Sequence, residues 1–294
     1  MAVDTSSTDR VGLGIAGVVV SVFFFSIVDA AAKWLGQTYS PFQIVFFRYV
    51  FGLLPIAVLV WRGGGPAILK TGRPALHLLR AGLLFFALTS FFAGLRYLPL
   101  AEAIAVTFTA PLFVAALSGP LLAEPVGPRR WAAVIVGFFG ALVVLRPGTA
   151  AFQPEAMLLL GSALAFSLAM LLTRRMSRTE SSVAMLTYST LGAGIACLPF
   201  LVPVWRAPAG EDLWLFLMIG VVGGFGAYLA IVAHRYAPPV VVAPFTYTGL
   251  VWGLILGWLI WRELLEPVVW LGVAIILAAS LYVTHREAAL ARRG

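Results

Sequence analysis

The chain has 294 residues, of which 61% are hydrophobic and only 11% are charged, and its formal net charge at pH 7 is +8. A soluble domain carries about 25% charged residues, so the composition excludes a water-soluble fold and makes the lipid bilayer the expected solvent. The basic residues are scattered, which is typical of membrane-protein loops and argues against a nucleic-acid partner. The single cysteine, Cys197, allows no disulfide within the chain, and neither a metal site nor a cofactor is predicted.

Ten apolar runs follow one another along the chain, and each is long enough to cross a bilayer as a helix. The runs cover residues 11–35, 41–61, 75–97, 99–122, 128–145, 155–174, 182–204, 213–235, 239–261 and 267–285. They are too long for the strands of a membrane barrel, and they do not alternate apolar with polar residues. The sequence therefore predicts an all-α, polytopic membrane protein with ten transmembrane helices.

The Lys and Arg residues between these runs predict the orientation of the chain, because cytoplasmic loops are enriched in both. If the N-terminus is cytoplasmic, the outer side holds five of them, which are Lys33, Arg96, Arg146, Arg206 and Arg262. The inner side then holds fourteen, which are Arg10, Arg62, Lys70, Arg73, Arg80, Arg129, Arg130, Arg174, Arg175, Arg178, Arg235, Arg286, Arg292 and Arg293. We therefore expect both termini to be cytoplasmic and the chain to lie in a bacterial inner membrane.

The chain contains an internal repeat. Sliding residues 96–146 onto residues 235–285 without a gap matches twelve of 51 positions. The matches that an apolar composition does not explain are Arg96 with Arg235, Tyr97 with Tyr236, Pro99 with Pro238, Thr107 with Thr246, Thr109 with Thr248, Glu124 with Glu263, Pro128 with Pro267 and Trp131 with Trp270. The starts of the two halves also align, since Phe25-Ser26 falls on Phe166-Ser167 at an offset of 141 residues.

Each half holds five of the ten runs. Because five is an odd number, the second half is predicted to cross the membrane in the opposite direction to the first. Inverted repeats of this kind are common in secondary transporters, which expose one central site first to one side and then to the other. The predicted division is a first repeat at 1–146, a linker at 147–154, a second repeat at 155–286 and a cytoplasmic tail at 287–294.

The segments RYLPLAEAIAVTFTAPLFVAAL and LLAEPVGPRRWAAVIVGFFGALVVLRPG closely resemble the drug/metabolite transporter superfamily, in its EamA-type ten-helix branch. The resemblance covers essentially the whole chain, is strongest over 92–148 and recurs weakly over 232–285. Family members usually have Gly-Glu at the end of the fourth and ninth spans, where this chain has Ala123-Glu124 and Arg262-Glu263. The resemblance implies transport of small metabolites, often export of amino acids including aromatic ones. It also implies a central cavity, with the fifth and tenth spans outside it.

Arg48 lies within the second span, about 10 Å from its outer end at 1.5 Å per residue. A lone arginine at that depth needs an anionic partner or a wet cavity. Asp29, at a similar depth in the first span, is the nearest candidate partner. Two interpretations stay open, which are an Arg48–Asp29 pair that fixes helix packing and a site for solute or gating. Asp29 is also the predicted carboxylate for proton coupling.

A stripe on one face of the first span and its equivalent in the sixth span are predicted to face the cavity, because residues three and four apart share a helix face. The first stripe comprises Val22, Phe25, Ser26, Asp29 and Lys33, and the second comprises Ala163, Phe166, Ser167, Met170 and Arg174. An aromatic ring, a hydroxyl and a cation suit a solute with an apolar body and an anionic group. The alternative for the two cations is that they extend to the lipid headgroups.

The fourth and ninth spans carry the related segments TFTAP at 107–111 and TYTGL at 246–250, and nearby prolines should break the hydrogen-bond ladder of each helix. Inverted-repeat transporters commonly place their site at broken helices. The predicted lining here comprises Thr107, Phe108, Pro111, Tyr228, Pro244, Tyr247 and Trp252. The glycines of GGFGAY at 223–228, together with Gly249, Gly253 and Gly257, are interpreted as packing positions. Glu124 and Glu263 are predicted to favour the positive end of the helix that follows each of them.

The sequence contains no P-loop, so ATP is not expected to drive transport directly. The predicted function is a secondary exporter of small organic solutes such as aromatic amino acids, with a proton as the candidate coupling ion. The oligomeric state is not predicted. The alternatives are a lipid scramblase or a membrane scaffold, and an intramembrane enzyme, for which the membrane interior offers too few reactive groups.

Overall fold

The computed structural model describes residues 5–63, 65–122, 127–150, 152–177, 179–236 and 239–291, and within them it contains helices and no strand. The first half forms α1 (Thr5–Leu35), α2 (Pro41–Arg62), α3 (Pro74–Gly94), α4 (Leu100–Thr107), α5 (Ala110–Leu122) and α6 (Pro128–Leu145). The second half forms α7 (Met157–Met176), α8 (Ser182–Leu201), α9 (Gly210–Tyr236), α10 (Pro239–Thr246), α11 (Thr248–Trp261) and α12 (Pro267–Ala291). Ten helical segments among the described residues are long and apolar enough to cross a membrane, which confirms the prediction.

Local sequence sets where the spans begin and end. Proline occupies the first turn of α2, α3 and α6, where its missing N–H removes no hydrogen bond. The side chain of Ser181 caps α8 by accepting a hydrogen bond from the amide of Ala184 at 3.0 Å. Arg146 and Arg262 end α6 and α11 in the left-handed conformation, with φ of 53° and 58°. These two ends turn the chain sharply, which brings the residues after α11 back over the start of α4.

The fourth and ninth spans are each broken at the same position of the repeat. The break between α4 and α5 lies at Phe108 and Thr109, and the break between α10 and α11 lies at Tyr247, which is 139 residues after Phe108. Hydroxyl groups of other helices satisfy the freed carbonyls, since Ser280 donates to the carbonyl of Phe108 at 2.7 Å and Ser167 donates to that of Ala110 at 2.9 Å. The predicted disruption of both ladders is therefore confirmed.

Helix packing follows the pseudo-symmetry that an inverted repeat requires. The first helix of each half packs along the third span of the other half, so that α1 contacts α9 and α7 contacts α3. The second spans follow the same rule, with α2 against α9 and α8 against α3. The last spans, α6 and α12, pack against each other. Exchanging the two halves reproduces this set of contacts, as expected for an inverted repeat.

Glycines allow the closest of these approaches. A Cβ added at Gly220 of α9 would lie 2.3 Å from the Cβ of Phe51 and 2.9 Å from the amide nitrogen of Gly52, both in α2. On α11, a Cβ at Gly253 would lie 2.7 Å from the Cδ1 of Ile104 in α4. A Cβ at Gly224 would likewise lie 2.4 Å from the Cγ of Pro55, so the sequence-based interpretation of Gly224 and Gly253 as packing positions is confirmed, and Gly220 adds a position that it did not include.

A hydrogen bond between side chains joins the start of α3 to the loop before α8. The Nε2 atom of His77 lies 3.0 Å from a carboxylate oxygen of Glu180, and both side chains are buried. Hydrogen bonds from His77 and then from Thr71 hold the pKa of Glu180 below its usual value of 4.5. A carboxylate with a depressed folded-state pKa contributes stability above its unfolded pKa, and that contribution is lost as the pH falls through the folded value.

We therefore expect Glu180→Gln to lower the melting temperature in detergent at pH 7, because the charged acceptor of His77 is lost. The difference between the variant and the parent protein should start to shrink as the pH falls below about 4.5 and should vanish only below the lower, folded-state pKa, where both carry a neutral side chain at this position. Thermal unfolding from neutral to acidic pH measures both effects. Glu155→Gln, at an exposed position, is the matched control. A Glu180→Gln deficit that persists unchanged at acidic pH would contradict this account.

Candidate functional site

The two ends of the helix bundle differ in how deeply their side chains are buried. We call the end at which α1 finishes and α2 begins the Lys33 end, and the end at which α7 finishes and α8 begins the Arg174 end. Side chains at the Lys33 end are almost completely buried, including Leu35, Leu95, Leu98, Leu100, Ala101, Ala103 and Ile104. Because the charge distribution predicts cytoplasmic termini, the Arg174 end is the predicted cytoplasmic end.

The two cavity stripes differ sharply in exposure, although they occupy equivalent positions of the repeat. Phe166 and Met170 on α7 are 49% and 56% exposed, and Arg174 is exposed beyond them. Their equivalents on α1, Phe25 and Asp29, are only partly exposed, and Lys33 is buried. Ser162 next to the α7 stripe donates to the carbonyl of Ala87 in α3, and Ser167 within the stripe donates to that of Ala110 in α5. Within the α7 stripe, Phe166 and Met170 are therefore exposed, whereas Ala163 and Ser167 are buried. That this stripe lines the cavity stays a prediction.

An ion pair between the two halves closes the Lys33 end. The ammonium of Lys33 donates to a carboxylate oxygen of Glu263 and, at 2.7 Å, to the carbonyl of Leu98. The second oxygen of Glu263 accepts from the amide of Leu100 at 2.8 Å, which satisfies a free N–H at the start of α4. Lys33 therefore neither extends to the headgroups nor lies free in the cavity in this state. Glu263 was predicted to stabilise α12, the helix that follows it, and this prediction was wrong. The left-handed turn at Arg262 directs the Glu263 carboxylate back to the start of α4, which it caps.

A second set of polar contacts surrounds this ion pair. Arg146 donates to Glu266 at 2.6 Å and lies 3.9 Å from the buried carboxylate of Glu102 in the first turn of α4. The buried phenol of Tyr39 donates to Asp212 at 2.6 Å at the start of α9. Burial, followed by this hydrogen bond, raises the pKa of Tyr39 above its usual value. The Lys33 end is thus held by contacts between the two halves on several sides. Glu124, the repeat equivalent of Glu263, lies outside the described residues.

Arg48 and Asp29 lie in the membrane interior close enough to interact electrostatically, but within the described residues they form neither a hydrogen bond nor a direct ion pair. The Nη1 atom of Arg48 is buried without a hydrogen-bond partner. The guanidinium lies 5.9 Å from the ring centroid of Phe92 and within 3.1 Å of the point where Gly223 would carry a Cβ. The arginine therefore has an unused donor within the membrane interior, as a residue that binds a solute would.

Arg80 is a second arginine within the membrane and, unlike Arg48, it is hydrogen-bonded to neighbouring helices. The sequence pattern placed it only among the loop cations. Its guanidinium donates to the hydroxyl of Thr173 at 2.7 Å, to the carbonyl of Met185 at 2.9 Å and to the hydroxyl of Ser189. These bonds join α3 to α7 and α8. Arg80 is thus a structural arginine, and its contrast with Arg48 separates the two roles.

The helix breaks bring aromatic side chains together. The rings of Phe108 and Tyr247 are 4.8 Å apart and meet edge to face, and the Tyr247 hydroxyl interacts with Ser280 and Thr284. Trp252 packs on Phe23 at 4.6 Å, and its indole nitrogen is buried with no hydrogen-bond partner among the described residues. The breaks therefore supply an apolar wall with polar atoms at its edges.

The remaining predicted residues lie around this wall in different settings. Thr107 is partly buried and its hydroxyl donates to the carbonyl of Ile104 at 2.6 Å, while Ser26 is buried and donates within its own helix. Pro111 is partly buried in the first turn of α5, whereas Pro244 is exposed near the end of α10. Tyr228 lies on α9, and its ring is 6.2 Å from that of Phe225. Their part in solute binding stays a prediction.

Comparison with known proteins extends this picture. A family model described as the EamA-like transporter family matches residues 12–146 and 153–284. The chain is 33% identical to the S-adenosylmethionine uptake transporter of Rickettsia prowazekii (strain Madrid E), with 93% of each chain covered. It is 30% identical to the riboflavin transporter of Rhizobium johnstonii, which covers 95% of this chain and 93% of the relative.

Two further similarities bear on direction and fold. The chain is 28% identical to the pseudopaline exporter CntI of Pseudomonas aeruginosa, over 95% of this chain and 98% of the relative. A solved crystal structure superposes with a TM-score of 0.64 at 19% sequence identity and covers 95% of this chain and 98% of that one. At this identity, the structural match supports the fold alone.

Proposed function

Because the chain belongs to the EamA-like transporter family, we propose that it is a secondary transporter of a bacterial inner membrane, and that its solute joins an amino-acid group to a ring system, with S-adenosylmethionine as the first candidate. The protein is a multi-pass membrane transporter of small-molecule solutes and is not an enzyme. The solute, the direction of transport and the orientation of the termini are the proposed part.

The observation that carries the choice of solute is the full-length similarity to S-adenosylmethionine uptake transporters, at 31% to 33% identity in four Rickettsia species. The membrane interior is compatible with such a solute. Arg48 offers unpaired donors for a carboxylate, Asp29 offers a carboxylate for an ammonium or sulfonium, and the aromatic wall at Phe108 and Tyr247 offers surfaces for a planar base.

The direction follows from the energy source. A carrier that does not hydrolyse ATP takes its energy from the gradient of the solute or of a coupled ion such as the proton, so the same protein can support influx or efflux. The relatives include both a named uptake transporter and a named exporter. We propose uptake as the main direction for S-adenosylmethionine. The sequence-based prediction of amino-acid export makes methionine and phenylalanine the comparison solutes, and Asp29 stays the predicted proton-coupling carboxylate.

The test is counterflow in liposomes that contain the purified full-length protein. Vesicles preloaded with unlabelled S-adenosylmethionine are expected to accumulate the labelled compound transiently, in a saturable manner that protein-free vesicles lack. Methionine, phenylalanine and riboflavin are added as competitors, and the assay is repeated with an imposed pH gradient to measure proton coupling.

The outcomes separate the candidate functions. Saturable S-adenosylmethionine counterflow supports the proposal. Counterflow of methionine or phenylalanine alone would replace it with amino-acid transport. Movement of labelled lipid between leaflets without counterflow of any solute would overturn it in favour of a scramblase.

A further inference from the structure

A pocket lies against the ion pair that closes the Lys33 end. Its volume is about 460 Å³, which lies in the range of small-molecule sites. It is lined by Lys33, Gln37, Arg96, Tyr97, Leu98, Pro99, Trp261 and Glu263. Both members of the ion pair are thus part of its wall. A ligand that arrives from the Lys33 end meets the two charges before it meets the buried core beneath them.

The two charges are partly desolvated and firmly held. The side chains of Lys33 and Glu263 are 9% and 20% exposed. Lys33 lies 5.1 Å from the ring centroid of Trp261, and each partner makes a further hydrogen bond to the loop before α4 or to its first amide. Opening this end requires the pair to separate. Separation that leaves either charge without a partner is strongly unfavourable in such surroundings.

The rest of the wall offers complementary groups. Arg96 provides a second cation, and its Cγ lies 3.3 Å from the point where Gly36, just after α1, would carry a Cβ. Tyr97 and Gln37 provide polar groups at the exposed rim. The indole nitrogen of Trp261 is buried and has no hydrogen-bond partner among the described residues, so it is a donor without an acceptor. The pocket therefore has cations on one part of its wall and a carboxylate on another.

We propose that this pocket binds the amino-acid group of the solute at the Lys33 end, with the solute carboxylate on Lys33 and Arg96 and the solute ammonium on Glu263. The inference rests on the proposed function, because it assumes a solute that carries such a group. A zwitterion gives each charge of the pair a new partner, so the pair separates without leaving a charge unpaired. A ligand with only one charge compensates one partner and leaves the other alone. Recognition of the zwitterion thus releases the contact between α1 and Glu263.

The test measures binding at the pocket and does not require transport. The full-length protein carries Gln37→Cys in a Cys197→Ala background, and the rate of its reaction with a hydrophilic maleimide is measured in detergent. Methionine is expected to slow the reaction about tenfold, as charge-assisted hydrogen bonds at the pocket imply. Methionine methyl ester, which lacks the carboxylate charge, and N-acetylmethionine, which lacks the ammonium, are expected to leave the rate unchanged.

Variants locate the effect. Glu263→Gln and Arg96→Gln should each weaken the protection by methionine, whereas Arg206→Gln at the same end, which donates to Thr38 and does not line the pocket, should retain it. If Glu263→Gln fails to fold, the three probes on the parent protein still decide the question. Equal protection by all three probes, or none by methionine, would overturn the proposal. Failure of S-adenosylmethionine counterflow with methionine protection intact would defeat the proposed solute and leave this pocket standing.

Discussion

Replacing Arg48 with leucine is expected to reduce transport about 100-fold while leaving the melting temperature unchanged or higher. The transport loss follows from the removal of a charged donor that has no bond to the described residues and is free to bind solute, since such bonds contribute about 1.5–3 kcal/mol. The retained stability follows because a charge held within the membrane costs at least about 2.5 kcal/mol. Counterflow and thermal unfolding in detergent measure the two effects on one preparation.

Arg80→Leu is the matched control, because Arg80 is also a membrane arginine but donates to Thr173, Met185 and Ser189. Its loss leaves buried acceptors unsatisfied, at about 1–3 kcal/mol each, so the melting temperature should fall. Two results would refute the role given to Arg48. In one, Arg48→Leu retains full counterflow. In the other, transport by the Arg48→Leu variant falls only in proportion to the fraction of folded protein, as expected if Arg48 and Asp29 form a purely structural pair.

Replacing Gly220 with alanine is expected to lower the free energy of unfolding by about 1–3 kcal/mol, the usual cost of overpacking. The added methyl group would overlap the Cβ of Phe51 and the backbone of Gly52, which cannot rotate away, so α2 and α9 must separate. The guanidinium of Arg48 lies beside Gly223, one turn further along α9, so its position should shift as well. Transport is therefore expected to fall with stability, unlike in the Arg48 variant.

Gly82→Ala is the control for this substitution, because a Cβ at Gly82 of α3 meets no atom within 4 Å. Alanine has the higher helix propensity, so this variant should be as stable as the parent protein or up to about 1 kcal/mol more stable. Equal melting temperatures for Gly220→Ala and Gly82→Ala would show that the contact between α2 and α9 is looser than the structure indicates.

The architecture could be predicted from the sequence because lipid imposes a local rule. Every span needs about 20 apolar residues, so span positions are visible in the sequence without knowledge of any partner. The broken helices were predictable for a similar reason, since Pro111 and Pro244 disrupt the ladder wherever they pack. The internal repeat also predicted that the two breaks lie at equivalent positions, Phe108 and Tyr247.

The ion pair that closes the Lys33 end could not be predicted, because it joins residues far apart in the chain. Lys33 and Glu263 are separated by 230 residues, and the sequence associates Glu263 with the nearby start of α12 at Pro267. The left-handed turn at Arg262 directs the carboxylate of Glu263 to the start of α4 instead. Arg80 shows the same limit, because a cation near a span end resembles a loop residue until its acceptors on α7 and α8 are known.

The two ends of the bundle are built from different chemistry, and this has a kinetic consequence. One end closes on an ammonium–carboxylate pair, whereas the equivalent helix at the other end presents Phe166 and Met170 next to Arg174. A reversible carrier whose two ends offer the solute different groups has a different half-saturation concentration on each face of the membrane. Detailed balance then requires the maximal velocities of influx and efflux to differ by the same ratio, so the asymmetry sets how fast each direction saturates and never where the distribution finally rests.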